Sequence, residues 1–594
     1  MIKPPEGGQK MDFFSILTLA GGLALFLYGM EVMGDNLKKL AGGKLESMLS
    51  KLTSNRFKGF LLGFFVTAVI QSSSATTVML VGFVNSGIMK LAQTIGIIMG
   101  ANVGTTVTSW LLSLGGISGD TFWVRIFKPA SFTPVLMLIG LLMVMMAKKD
   151  KKKDIGNILI GFALLMFGME MMSGAMAGLK DDPSFGRLLV MFSNPILGIT
   201  VGTLLTAIIQ SSSASVGILQ ALAMTGTIPF ATAVPIILGQ NIGTTITPIL
   251  SSITGNTESK RVALACLYIK IIGVVIVYSL FLILNGVIDF AFMHTNISSM
   301  QIAVVHTMFN ILSTIVLIPF TTFIEKLTIK SIKAKQDKQS TEFDTLDDRF
   351  LDVPSFAVEK CRELVCDMAG IARKAIYDAT KLLSKYDSSV VKQVEDSETL
   401  VDTYEDKIST YLVRVAGTNN ISSEDSKIVT ELLHCIGDIE RISDHSVNIT
   451  EALTEIHEKD LAFSDAAKND LKVISSAVNE VLTLATDALS TGNLEIAKSV
   501  EPLEQVIDRL KLKIKSNHIA RLQTGDCSME MGFILSDLLT NFERVADHCS
   551  NIAVCMIEIA HGSFETHEYL NHLKNSGEDS YVNQYNNFKK KYVL

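Results

Sequence analysis

Shifted by 139 residues, the chain falls onto itself in three separate regions without a gap. Gly29-Met30-Glu31 meets Gly168-Met169-Glu170, and Gly59, Gly63 and Thr67 meet Gly198, Gly202 and Thr206. Gln71-Ser72-Ser73-Ser74-Ala75 meets Gln210-Ser211-Ser212-Ser213-Ala214. Gly100, Asn102 and Gly104-Thr105-Thr106 meet Gly239, Asn241 and Gly243-Thr244-Thr245. One offset that serves stretches so far apart is not a product of composition, so the first half of the chain is a duplicated unit.

That unit is built for lipid. Apolar segments near 13–33, 91–113, 128–147, 155–177, 231–250, 262–288 and 301–325 are about as long as a bilayer core requires. The first is not a signal peptide, because it recurs inside the repeat. Regions 59–88 and 195–228 are apolar at both ends but interrupted by the serine clusters. Residues 1–340 hold 26 Lys+Arg against 15 Asp+Glu, and the remainder holds 26 against 44. A single soluble globule, a disordered chain and a collagen-like chain are excluded. Seven cysteines, six of them in the acidic half at irregular spacing, suit a reducing compartment rather than a disulfide framework.

Short basic loops stay on the cytoplasmic side. Three segments qualify: 34–58 with Lys38, Lys39, Lys44, Lys51, Arg56 and Lys58; 148–153 with its five lysines; and the tail with Lys326, Lys330, Lys333, Lys335 and Lys338. If each serine-interrupted region crossed the membrane once, loop 34–58 and the cysteine-bearing half would lie outside. If each dips in and returns, all three basic segments are inside and the two copies have opposite orientation. The expected fold is therefore all-α: a polytopic membrane domain of two inverted repeats with seven spans and two re-entrant serine hairpins. The N-terminus is expected outside and the C-terminal domain in the cytoplasm. The expected divisions are a tail 1–12, membrane repeat 1 over 13–147, and membrane repeat 2 with an extra span over 148–325. A linker 326–350, a helical domain 351–565 and a C-terminal tail 566–594 complete them.

Irregular backbone at membrane depth survives only where protein buries it or it lines a wet cavity. A Gln-Ser-Ser-Ser tip brings hydroxyls, an amide and freed backbone groups there without full charge. Neutral oxygens satisfy a hard cation, and hydroxyl and N–H donors at a helix start satisfy an anion. Serines in membrane helices also serve as helix glue, but two in-register copies, each followed by Asn-x-Gly-Thr-Thr, argue for a site. Glu31 and Glu170 read as interfacial, and Lys270, His306 and Asn310 as snorkelling or packing residues.

The paired motifs resemble those of the type II sodium/phosphate cotransporters and their bacterial relatives over roughly 13–325. The resemblance implies sodium-coupled movement of inorganic phosphate across the cytoplasmic (inner) membrane of a bacterium. Carried over by position, it implies a phosphate and sodium site made of Gln71, Ser72, Ser73, Ser74 and Thr76 with Gln210, Ser211, Ser212 and Ser213. Asn102, Thr105, Thr106, Asn241, Thr244 and Thr245 join them. Thr76 is the better sodium ligand than Val216, which has no side-chain oxygen. Import and export are both compatible with these motifs, and no nucleic-acid partner is expected.

Beyond Lys338 the pattern becomes that of soluble amphipathic helices near 355–386, 393–416, 423–456, 464–490, 495–521 and 529–561, suggesting two three-helix bundles. A second repeat runs through them: Asp438-Ile439-Glu440-Arg441-Ile442-Ser443-Asp444-His445 returns as Asn541-Phe542-Glu543-Arg544-Val545-Ala546-Asp547-His548. Glu440 with Asp444, and Glu543 with Asp547, place two carboxylates on one helical face. Arg441 and Arg544 could balance them, or a bound hard divalent or ferric cation could. This half resembles PhoU-type domains, which implies metal clusters on those acids and links to phosphate-signalling proteins or to a homo-oligomer. Two other classes remain weaker: a non-transporting receptor or scaffold that only anchors the PhoU-like half, and an enzyme. No P-loop and no Gly-x-Ser-x-Gly elbow is present.

Overall fold

The computed structural model describes residues 13–41, 55–117, 121, 126, 128–178, 183–333, 342–418, 421–561 and 579–594. The expected tail 1–12, Lys44, Lys51, Lys335, Lys338 and residues 566–578 of the C-terminal tail lie outside the described residues. The chain divides into two compact units, Met1–Phe356 and Ala357–Leu594. Among the described residues both are helical, with no strand and one isolated bridge between Pro229 and Asn296.

The first unit repeats itself as the sequence does. Helices α1 (Phe13–Ala41), α2 (Arg56–Ile70), α3 (Ser73–Asn85), α4 (Leu91–Gly104), α5 (Thr106–Ser113) and α6 (Pro129–Met146) form one series. Helices α7 (Asp150–Met176), α8 (Pro183–Met191), α9 (Pro195–Ile209), α10 (Ser212–Ala223), α11 (Phe230–Gly243) and α12 (Ile246–Ser252) follow. Both ends of α2 and of α4 recur in α9 and α11 at the 139-residue offset. Helices α13 (Thr257–Ile288), α14 (Ser299–Leu317) and α15 (Thr321–Ser331) complete the unit. Among the described residues seven helical stretches are long and apolar enough to cross a membrane: α1, α4–α5, α6, α7, α11–α12, α13 and α14–α15. An eighth would be counted only if α8 and α9, which meet at 100°, made one span. Leu138, Leu141 and Met145 on α6 and Val275, Ile283 and Val287 on α13 are exposed, as lipid-facing side chains are.

Close backbone contact holds the repeats together. A Cβ on Gly63 would collide with the Ile97 carbonyl and one on Gly100 with that of Phe60; Gly202 with Ile236 and Gly239 with Ile199 repeat both contacts. Gly96 against Arg56 O, Gly100 against Phe60 O and Gly104 against Phe64 O advance together along both helices, so α2 runs parallel to α4; Gly239 against Ile199 O and Gly243 against Thr203 O do the same for α9 and α11. Because α3 lies between α2 and α4 in sequence, it must return toward the start of α2, so α2 and α3 form a helical hairpin, as do α9 and α10. Across the repeats, a Cβ on Gly29 would lie 2.6 Å from Gly161 O and one on Gly22 2.9 Å from Met172 N. The equivalent helices α1 and α7 therefore pack antiparallel, with Phe26, Met33, Leu165, Met169 and Met172 in the shared core.

The segment after α15, expected as a linker, contributes to this unit. Phe350 is fully buried against Phe83 and Phe356, with ring centroids 5.5 and 4.7 Å away. Asn85 donates to Asp347 Oδ2 at 2.8 Å and accepts from the Asn256 backbone N–H at 2.8 Å. A single aromatic in a polar stretch carries no periodic signal, which is why this docking was not legible.

In the second unit, α16 (Pro354–Lys381), α17 (Ser388–Ala416), α18 (Ser423–Glu458), α19 (Asp465–Thr491), the short α20 (Leu494–Ala497), α21 (Val500–Thr524) and α22 (Met529–His561) match the six expected helices. Asp387, Ser422 and Ser464 cap α17, α18 and α19 by accepting backbone N–H bonds. Helices α18 and α22 share a seam of Ile439, Ile442, Ile449, Phe542, Val545 and Ile552. The chain end is helical, not a bare tail: α23 (Asp579–Lys591) docks through Tyr585 on Arg509 and Lys591 on Glu480 at 2.7 Å.

Candidate functional site

Each serine motif turns the chain on its glutamine. Gln71 has φ 59° and Gln210 φ 58°, left-handed values that end α2 and α9, and each N–H closes on the threonine four residues back. Ser72 and Ser211 then take extended angles and cap α3 and α10: Ser72 Oγ accepts from Ala75 N at 3.1 Å and Ser211 Oγ from Ala214 N at 3.2 Å. Ser73, Ser212 and Ser213 are buried and Ser74 half-buried. Among the described residues no hydrogen bond engages the hydroxyl of any of these four.

The two tips are not in the same condition. In the first, Thr108 Oγ1 donates to Gln71 Oε1 at 2.7 Å, and Thr67 Oγ1 to Thr76 Oγ1 at 3.1 Å. In the second, the counterparts Thr247, Thr206 and Ser215 have buried hydroxyls without a partner among the described residues. Gln210 is exposed there and lines an open cavity of about 570 Å³ with Thr247, Ser251, Thr254, Asp347 and Arg349. Thr67, Thr108 and their counterparts were not among the expected site residues, although the 139-residue offset marks both pairs.

The Asn-x-Gly-Thr-Thr motifs end α4 and α11. Asn102 and Asn241, one from each copy, line one small enclosed cavity with Lys270, Asn310, Ser313 and Thr314. Lys270 does not snorkel: it is 8% exposed and its Nζ donates to Thr244 Oγ1 at 2.5 Å. Thr244 Oγ1 in turn donates to Asn241 O at 2.8 Å. Thr105, Thr106 and Thr245 do not line this cavity; each bonds a carbonyl three or four residues back in the chain at 2.7–2.9 Å. Glu31 and Glu170 are exposed.

In the second unit the acids gather differently from expectation. Asp444 meets Glu398 and Asp402, and Asp547 meets Glu504 and Asp508; in each trio one ligand atom per residue lies within 4.8 Å of the others. Glu440 and Glu543 stand outside these trios, and Glu543 pairs with Lys511. The missed acids carry the same i, i+4 spacing as the expected ones, on α17 and α21. Burial, then Asp444 and Asp402, raises the Glu440 carboxyl above its ordinary range. Burial and the Asp402 charge do the same to Asp444, and burial with Glu543 and Asp508 to Asp547. Glu504 is pushed up to about 8 by burial and then by Glu501, Asp508 and Asp547. The histidines tie α18 to α22: His445 Nδ1 bonds Asn541 Oδ1 and His548 Nδ1 bonds Asp438 Oδ1, both at 2.8 Å, with the rings stacked at 5.7 Å.

The family described as Na+/Pi-cotransporter matches residues 25–174 and 175–317, one match for each copy, and the PhoU domain matches 365–453 and 471–556. A Salmonella typhimurium protein named as an inorganic phosphate export protein, YjbB, is 23% identical over 571 residues, covering 93% of this chain and 100% of its own. Sodium-dependent phosphate transport protein 2A of Rattus norvegicus is 33% identical over 132 residues, 22% of this chain and 20% of its own. A phosphate-specific transport system accessory protein PhoU homolog of Pseudomonas aeruginosa is 22% identical over 223 residues, 38% of this chain and 91% of its own. The duplicated apolar unit and the helical unit that follows it therefore identify a multi-pass membrane member of the Na+/Pi-cotransporter family that carries a pair of PhoU domains.

Proposed function

We propose that the chain moves inorganic phosphate across the cytoplasmic membrane by sodium-coupled secondary transport, through two inverted repeats whose serine hairpins are re-entrant. The observation that carries this reading is the meeting of Asn102 and Asn241, from opposite copies, in one buried polar cavity. Antiparallel packing of α1 against its counterpart α7 supports opposite orientation of the copies, and arms of 13 and 15 residues in the first hairpin are too short to span. With the basic loops inside, the N-terminus lies outside and the helical unit in the cytoplasm.

Phosphate is held by the Ser73, Ser74, Ser212 and Ser213 hydroxyls and by the backbone N–H groups at the starts of α3 and α10, with Gln71 and Gln210 flanking. Sodium takes neutral oxygens, including those of Thr76, Ser72, Ser211 and the Asn-x-Gly-Thr-Thr segments. The bonded first tip and the open second tip are two states of one device, and exchanging them between copies carries the site from one membrane face to the other. In the second unit, the Glu398–Asp402–Asp444 and Glu504–Asp508–Asp547 trios hold a hard divalent or ferric cation, which offsets the repulsion among the gathered carboxylates. That unit adjusts flux to phosphate supply.

Labelled phosphate flux in proteoliposomes tests this. A sodium gradient should drive phosphate in the direction of the gradient, whichever sign is imposed, and dissipating it should abolish net movement. Phosphate movement that ignores sodium would remove the coupling, and no movement at all would leave an anchored PhoU scaffold.

A further inference from the structure

Lys270 stands on α13, inside an apolar helix, at the junction of the two copies. It forms no ion pair among the described residues, and no carboxylate lines its cavity. A buried ammonium without a counter-charge is costly unless oxygens replace its lost hydration.

The cavity supplies oxygens. Thr244 Oγ1 already accepts from Nζ. Asn102 Oδ1 and Ser313 Oγ, both on residues 8% exposed, have no partner. Part of the amide donor capacity around the space is already engaged: Asn241 Nδ2 donates to Ile237 O at 3.1 Å and Asn310 Nδ2 to His306 O at 2.8 Å. Facing the space are neutral oxygens drawn from both Asn-x-Gly-Thr-Thr copies and from α14. Neutral oxygens of this kind solvate a hard monovalent cation.

We infer that Lys270 is a tethered cation: its ammonium permanently fills a cation position between the two copies, so that the transported complex carries one mobile sodium fewer than its oxygen ligands would accommodate. The inference rests on the reading of the chain as a sodium-coupled phosphate carrier and concerns its stoichiometry. A side chain held at this point travels with the protein and not with the substrate, so it neutralises charge at the site without adding to the charge moved per phosphate.

The test counts sodium. The full-length chain is reconstituted, and sodium and phosphate fluxes are measured together with the reversal potential; equilibrium binding of labelled sodium to the purified chain is measured in detergent. Lys270→Gln, with its charge removed, should bind one additional sodium per chain and move one more per phosphate. Lys270→Arg, with charge retained, should keep the wild-type count at both readouts. If Lys270→Gln does not reconstitute, the detergent binding count on Lys270→Ala decides. An unchanged sodium count with the phosphate KM raised about tenfold would overturn the inference and make Lys270 a phosphate ligand. Unchanged count and unchanged KM would reduce it to packing. Absence of any sodium-coupled flux in the wild-type chain would remove the transport reading itself, which is distinguishable from a coupled wild type whose count ignores residue 270.

Discussion

Two glutamines adopt backbone angles more often given to glycine, Gln71 at φ 59° and Gln210 at φ 58°. A non-glycine residue there carries strain of about 1–2 kcal/mol, which persists only when the surroundings over-determine it. The gain is a sharp reversal that presents four hydroxyls with no other engagement and a capped helix start behind them. Ser73→Ala and Ser212→Ala should each lower sodium-stimulated phosphate uptake about tenfold or more with normal membrane levels. Wild-type rates in both would take the tips out of the mechanism. Glu504 supplies a different residue-scale expectation. Its folded-state value, pushed up to about 8, lies above that of an unfolded glutamate, so the folded chain binds the extra proton. Stability of the second unit should be greatest below about pH 4.5 in this respect and decline as pH rises toward 8, by a few kcal/mol at most. Glu504→Gln should flatten that slope in thermal unfolding of metal-stripped protein, and a divalent cation added to the wild type at pH 8 should raise the melting temperature. Equal slopes in both proteins would show that Glu504 ionises without penalty.

Several helix pairs in the membrane unit meet by close backbone approach at glycines, as expected where lipid removes the hydrophobic drive for association. The parallel pair α2–α4 and its copy α9–α11 use glycines at the same register, and the antiparallel pair α1–α7 uses Gly22, Gly29, Gly161 and Gly168. Gly100→Ala and Gly239→Ala should each cost about 1–3 kcal/mol through overpacking against the Phe60 and Ile199 carbonyls. Gly174→Ala on α7, which meets nothing within 4 Å, should be neutral or slightly stabilising. Monodisperse yield and thermal unfolding in detergent would separate the two classes. Equal behaviour would contradict the contact register.

At the scale of the whole chain, the boundary between units falls at Phe356, beyond the segment whose Phe350 is buried in the membrane unit. Asp347 and Arg349 of that segment line the open cavity at Gln210, so the part of the chain leading to the PhoU domains touches the one tip that is open. A chain ending at Phe356 should keep sodium-coupled flux but lose its response to the phosphate concentration on the cytoplasmic side. Flux measured across a range of internal phosphate checks this; superimposable curves for full-length and shortened chains would deny the helical unit a regulatory part.

The duplication, the seven long apolar helices, the six amphipathic helices and the family were all legible in the sequence. Each is encoded locally, in the period of apolar residues, in cap and turn residues, or in motifs repeated at one spacing. The residue partners were not. Periodicity reports which face of a helix is apolar but not which other helix will face it. Lys270 therefore read as a snorkelling or packing residue, and only α4, α11 and α14 closing around it decide between the two. Asp444 and Asp547 stood out in the repeated motif, while Glu398 and Glu504 stand beside them only because α17 packs on α18 and α21 on α22. Proximity between residues a hundred positions apart is a property of packing, and packing alone decided which oxygens share a cavity.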